Sequence, residues 1–200
     1  MSLWHWLVSS VLAICWLLFL VVWIAGAIYN ARKGPGVERR GGGVSRWAFG
    51  GVVIWLVLRY VPGLDWLSVR IESEWVRVLG AAILVAATAF TLWARAALGT
   101  MWSSEPVAKE GHELRTDGPY AITRYPIYTG IVGMLLGTAL AIGLGPFVWV
   151  FVVGVVFLEL KIRAEERLMT DVFPDAYDEY RRQVPQLVPG LYAVTALWGR

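Results

Sequence analysis

Between positions 112 and 130 the chain reads HELRTDGPYAITRYPIYTG, a passage rich in side chains that are costly to hold near a bilayer. His112, Arg115, Asp117, Arg124 and three tyrosines (Tyr120, Tyr125, Tyr128) are interleaved with Gly118, Pro119, Pro126 and Gly130. A second polar block, KIRAEER at positions 161–167, ends the long apolar run that follows. Together the two blocks offer four kinds of recognition. The glycine- and proline-rich turn leaves backbone N–H and C=O groups free for a planar or zwitterionic ligand. A helix opening at Pro126 presents a positive dipole end, beside Arg124, to a carboxylate. The tyrosine rings can stack on an adenine, and Glu165 and Glu166 can meet a cationic centre or hydroxyl groups. A site holding a charged, nucleoside-like cofactor beside a lipid-soluble acceptor needs all four. Singly, each part has a plainer use. Arg124 serves as a headgroup anchor, the tyrosines as an interfacial belt, His112 as a solvated loop residue, and the paired glutamates as a solvated helix face. Glu159 is different, because a carboxylate near membrane depth faces protein or a polar cavity.

The elements that must position these groups are membrane spans. The 200-residue chain is 58% hydrophobic and 16% charged, with twelve Trp and eight Tyr to supply rings at two membrane–water interfaces. The length suits one domain. Residues 7–29 carry no charge and are long enough to cross a hydrocarbon core of about 30 Å. No basic segment precedes them, so a signal peptide is not the expectation. Further spans are expected at residues 44–61, 75–98, 127–143 and 146–162. The last two come from one apolar run, too long for a single straight span, broken at GLGP (143–146). The resulting tight hairpin returns its two ends to one membrane face, which brings the two polar blocks together. Residues 99–126 then form a cofactor loop and residues 163–200 a C-terminal helical cap. In that cap one helix continues to about Val172, and a short amphipathic helix follows over 176–183, with Pro174 breaking the pattern between them. The predicted fold class is all-α, a polytopic helical membrane bundle of about five transmembrane helices.

Loop charge orients the bundle. The first loop holds five Lys/Arg against one Glu and the second has no cationic excess. The N-terminus is therefore expected outside, with both polar blocks and the tail in the cytosol. Net charge is only +3 and no basic stripe is present, which argues against a nucleic-acid partner. Cys15 is the single cysteine and lies in the first apolar run, where it makes no internal disulfide and faces lipid or core. No internal repeat is evident.

The spacing His112-x-Leu114-xxx-Gly118-Pro119-Tyr120-xxx-Arg124-Tyr125-Pro126-x-Tyr128-x-Gly130 resembles the signature of the isoprenylcysteine carboxyl methyltransferase and phospholipid methyltransferase superfamily. The tail adds a second match in Glu165-Glu166, Leu168, Phe173, Tyr177-xx-Tyr180-xxx-Val184-Pro185, so the resemblance covers roughly residues 95–191. It implies S-adenosylmethionine as cofactor, held at the cytosolic face under the C-terminal segment. It implies also a lipophilic or lipid acceptor entering from the bilayer, of isoprenylcysteine-carboxylate, thiol or other lipid type, in what would be a prokaryotic plasma membrane. On this reading the signature residues from His112 to Gly130 bind the cofactor, Glu165 bonds its hydroxyl or amino groups, and Arg163 and Glu166 are the catalytic candidates, Arg163 orienting an anionic acceptor. One position departs from the pattern. Tyr125 stands where the family has His in an Arg-His-Pro triplet, and a phenol does not titrate near neutrality. General-base chemistry by an imidazole is thereby lost, which tilts the acceptor away from amines. NADPH-dependent membrane reductases of the steroid-reductase type share a similar passage and remain an alternative, disfavoured by the Glu-Glu block. A non-enzymatic transporter or scaffold is a further alternative, disfavoured by the absence of an inverted repeat.

Overall fold

A computed structural model of the chain describes residues 3–33, 37–40, 70–71, 73–102, 107–109, 114–145 and 147–188. Among the described residues the regular structure is helical apart from one short ribbon. The described helices are α1 (Leu3–Lys33), α2 (Glu74–Leu98), α3 (Pro126–Ile142), α4 (Phe147–Val172) and α5 (Pro174–Gln183). The ribbon pairs β1 (Val37–Arg40) antiparallel with β2 (Val107–Lys109). The span expected at 44–61 lies outside the described residues.

The fold is a helical membrane bundle. Trp6–Lys33 and Glu74–Met101 are long and apolar enough to cross a membrane. Along α1, Leu17, Val21, Ile24 and Ile28 are all exposed, a surface that suits hydrocarbon and not water. Its inward side is narrow. Cys15 packs with Leu84 and Met134 in a core shared by α1, α2 and α3, and Trp16 donates from Nε1 to Thr138 Oγ1 at 3.1 Å. At seventeen residues α3 is shorter, about 25 Å long at 1.5 Å per residue.

Among the described helices α2 and α3 make the closest contact, and small residues make it so. A Cβ at Gly137 would lie 2.6 Å from the Leu84 nitrogen and 2.7 Å from the Gly80 oxygen. A side chain at Gly80 would meet the backbone of Ala141 in turn, and one at Gly133 would press on Ala87. Small residues let helix backbones approach where lipid supplies no hydrophobic drive for association. The hydroxyls in this interface turn back on their own helix: Thr88 donates to Leu84 O and Thr91 to Ala87 O, each at 2.7 Å.

At the far end α3 stops at a left-handed Gly143 (φ 91°), whose N–H bonds back to Leu140 O at 3.0 Å. Leu144 (φ 65°) and Gly145 (φ 54°) complete the reversal into α4. The helix then runs without interruption from the hairpin through Val172. Pro174 does more than interrupt the pattern. It occupies the first turn of α5, where a missing N–H is harmless, so that helix begins two residues earlier than the sequence suggests.

The two cavity-distant and cavity-facing glycines should behave differently. Gly137→Ala is expected to lower stability in detergent by about 1–3 kcal/mol, since backbone must move. Gly154→Ala meets only the mobile end of Leu135 and should stay within about 1 kcal/mol of the parent. Thermal unfolding of the two variants side by side checks the contrast.

Candidate active site

The polar loop is shaped by its own turn chemistry. Gly118 takes a positive φ of 57°, a conformation that side chains disfavour, and Pro119 opens a 3₁₀ turn over Gly118–Ala121. Tyr120 N–H bonds to Asp117 O at 3.1 Å and Thr123 N–H to Pro119 O at 3.3 Å. The loop then runs beside the chain that follows α5. Arg124 N–H donates to Pro185 O (2.8 Å), Tyr125 N–H to Gln186 O (3.2 Å), and the Thr129 hydroxyl to Leu187 O (2.7 Å). The segment after α5 is thus stitched through its carbonyls to the loop and the first turn of α3.

Side chains complete the assembly. The Arg124 guanidinium is 8% exposed and donates to Glu166 Oε1 at 2.7 Å, to Arg181 O at 2.9 Å and to Val184 O at 3.2 Å. Tyr177 joins this group, with its hydroxyl 3.0 Å from that of Tyr125 and 3.5 Å from Glu166 Oε1. Tyr180 donates to Tyr120 O at 2.6 Å. A second cluster sits one step away: Tyr128 donates to Glu165 Oε1 at 2.5 Å, and Lys161 lies 3.9 Å from that carboxylate and 5.2 Å from the Tyr128 ring centre. The rings of Tyr125 and Tyr128 are parallel within 7°, centres 5.8 Å apart.

These groups wall a cavity of about 460 Å³, within the range of small-molecule sites. Of the residues expected to bind a cofactor, Leu114, Tyr120, Arg124, Tyr125, Pro126, Tyr128 and Glu165 line it. Gly118 and Pro119 do not; they shape the turn that presents Tyr120. Gly130 is also off the wall, where it makes room for Thr91 of α2. Glu166 stands behind Arg124 and Tyr177. Arg163 lies on the outer face of α4, 66% exposed and paired with Glu159 at 3.0 Å. His112 falls outside the described residues.

Helical geometry explains the split. At 100° per residue, Arg163 points some 200° from Glu165, whereas Lys161, four residues before Glu165, shares its face. The cavity's cation on α4 is therefore Lys161, which the sequence reading passed over although that i,i+4 spacing pointed to it. Tyr177 and Tyr180 were also absent from the expected site, yet their three-residue separation puts both on the buried face of α5, against the cavity. Trp23 and Trp102, whose rings meet edge to face, come from distant segments and left no local signal.

Burial sets the protonation of the wall. Desolvation pushes the Tyr125 and Tyr120 phenols well above their usual range, and the Tyr177 phenol up to about 12. All three stay neutral donors at physiological pH. Glu165 is also raised by burial, against the opposing pull of Lys161 and of the Tyr128 hydroxyl. It is one of the residues that line the cavity.

A family model for phospholipid methyltransferases matches residues 75–176, which span α2, the polar loop, the hairpin, α4 and the start of α5. The chain belongs to the phospholipid methyltransferase family. Two curated relatives are similar over shorter stretches. Protein-S-isoprenylcysteine O-methyltransferase of Schizosaccharomyces pombe is 38% identical over 81 residues, covering 39% of this chain and 34% of the relative. Cobalt-zinc-cadmium resistance protein CzcN of Cupriavidus metallidurans is 27% identical over 107 residues, covering 52% of this chain and 49% of the relative. The chain thus spans about a third to a half of the relatives' own lengths. In this family member the matched region contains both polar blocks.

Two variants probe the wall. Arg124→Ala leaves Glu166 and two carbonyls without their donor, and is expected to destabilise the protein by about 3–5 kcal/mol in thermal unfolding; Arg124→Lys restores little, because an ammonium cannot span the three acceptors. Glu165→Gln tests the raised carboxyl. The folded state holds the Glu165 proton more tightly than the unfolded state, so its advantage is full below the usual carboxylate range and is lost as pH rises through the raised value. The melting temperature of the parent relative to Glu165→Gln should therefore fall as pH rises above the usual carboxylate range.

Proposed function

We propose that the protein is an S-adenosylmethionine-dependent methyltransferase, a single integral membrane domain that modifies a lipophilic acceptor drawn from the bilayer. One observation carries the reading: in a chain of this family, a polar, ring-lined chamber continues directly into an apolar arm between α3 and α4.

The wall suits such a cofactor. Arg124 Nε is buried with no hydrogen-bond partner among the described residues, which leaves a donor of the fork for a ligand oxygen. The first-turn N–H groups of Ile127 and Tyr128 have no intrahelical acceptor and add to the positive end of α3. Glu165 offers an acceptor for hydroxyl or amino groups, and the parallel rings of Tyr125 and Tyr128 offer faces for a cation. S-adenosylmethionine would supply a methyl group on a positively charged sulfur. The chain's task is then to bind, align and exclude water. Tyr177 and Tyr180 close the chamber from above, while Lys161 at the rim of the arm orients an anionic acceptor. An acceptor that arrives already ionised needs no base, which agrees with a phenol at position 125 that stays neutral.

The orientation proposed from loop charge, with the N-terminus outside and the site cytosolic in a prokaryotic plasma membrane, puts the chamber where the cofactor is made. The isoprenylcysteine in the name of the Schizosaccharomyces pombe relative, and other lipids or thiols, are acceptor classes that an apolar arm admits.

Calorimetric titration of the detergent-purified protein with S-adenosylhomocysteine tests the reading. We expect a dissociation constant on the order of micromolar, weakened about tenfold by Glu165→Gln, which replaces one carboxyl oxygen by an amide donor. Heat with NADPH and none with S-adenosylhomocysteine would transfer the protein to the reductases.

A further inference from the structure

The apolar arm has a floor. From the polar end, cavity-lining positions descend α3 through Tyr128 and Ile131 to Leu135, and descend α4 from Lys161 through Leu158 and Phe157 to Gly154. Among the described residues, none deeper on either helix lines the cavity. The two lowest positions are neighbours across the hairpin: a Cβ at Gly154 would stand 2.6 Å from Leu135 Cδ1. The Leu135 side chain thus occupies the space a side chain at Gly154 would take, and the arm ends there. Seven residues separate Tyr128 from Leu135 and Lys161 from Gly154, so the arm is about 10 Å deep at 1.5 Å per helical residue. That depth holds an extended chain of roughly eight carbons, given bonds of about 1.5 Å in zigzag.

We infer that the Leu135–Gly154 contact gauges the acceptor, admitting an amphiphile with an anionic head beside Lys161 and one apolar segment of roughly eight carbons or an equivalent ring, and rejecting longer tails. The inference rests on the transferase reading for the word acceptor, but the gauge itself is a property of the cavity. Each methylene that fits within the arm adds about fourfold in affinity, corresponding to ~0.8 kcal/mol. Beyond the floor no further gain accrues. A tail that passes the floor must displace the end of the Leu135 side chain, so longer tails gain nothing further and meet the modest cost of moving it.

The test uses the whole protein in lipid nanodiscs, first titrated with S-adenosylhomocysteine and then challenged with saturated alkanoates from about six to sixteen carbons, bracketing the estimated depth. Alkyltrimethylammonium ions of matched length serve as the opposite-charge series, and the readout is the shift in melting temperature. Stabilisation by alkanoates should climb to about eight carbons and then decline, with weaker shifts from the cationic series. Gly154→Leu should move the optimum about one helical turn shorter, and Leu135→Ala should move it longer. Gly154→Ala guards against misfolding of the larger variant and should give a smaller shift in the same direction. Lys161→Met should erase the preference for the anionic head and leave the optimum length in place. A shift that climbs steadily with length in the parent and in Gly154→Leu alike would overturn the gauge, showing that tails leave sideways into lipid. Binding of S-adenosylhomocysteine with no alkanoate effect at any length would also overturn it, with the cofactor reading intact. A length optimum without S-adenosylhomocysteine binding would sustain the gauge and sink the transferase reading.

Discussion

The Arg124 guanidinium is where four segments of the chain meet. It lies in the polar loop, pairs with Glu166 on α4, and reaches the carbonyls of Arg181 in α5 and Val184 beyond it. A planar fork is suited to this, since its donors leave in fixed and divergent directions. The same segments share a small apolar cluster in which Leu114, Met169 and Phe173 pack against Tyr177, Tyr180 and Val184. Directional, partly buried polar contacts add orientation to that packing, and the chamber walls follow from both. The same arrangement explains the tyrosine cluster. Tyr125, Tyr177 and Tyr180 spend their hydroxyls on one another, on Glu166 and on the Tyr120 carbonyl, so their ring faces remain available to the cavity.

Beneath the chamber the bundle is built with two different tolerances. α2 and α3 approach so closely that Gly80, Gly133 and Gly137 accept no side chain without movement. α3 and α4 are joined by a short hairpin yet pack less extensively, and the arm occupies the space between them. A rigid pair and a looser pair share α3, which places Tyr128 on a fixed post and its partners on a more open wall.

Much of this plan was legible in the sequence, for identifiable reasons. Hydrophobic run lengths and the GLGP break located the hairpin, because glycine and proline act locally. The meeting of the two polar blocks followed from the hairpin, and the Arg124–Glu166 contact is its outcome. What escaped was side-chain direction. Arg163 and Lys161 look equally basic in a list, and only the 100° step of α4 separates a surface ion pair from a cavity cation. Gly130 carried a family motif, but its neighbour is Thr91, a contact no local pattern encodes. The β1–β2 ribbon was illegible for the same reason, since its strands are far apart in sequence and short. Trp23 and Trp102 entered the site through tertiary packing alone.

The carbonyls of Pro185, Gln186 and Leu187 each accept a hydrogen bond from the loop around Arg124 and Thr129. This has a consequence for how the protein is made. The ribosome releases these carbonyls only after α1 through α4, about 1–3 s behind the end of α4 for chains that emerge at about 5–20 residues per second. During that interval the spans are in place while the loop's N–H groups, Arg124 and the arm are still open to solvent and lipid. Assembly of the chamber is thus a late event in biogenesis. The stretch of backbone after α5 is the one that converts an inserted bundle into a binding site.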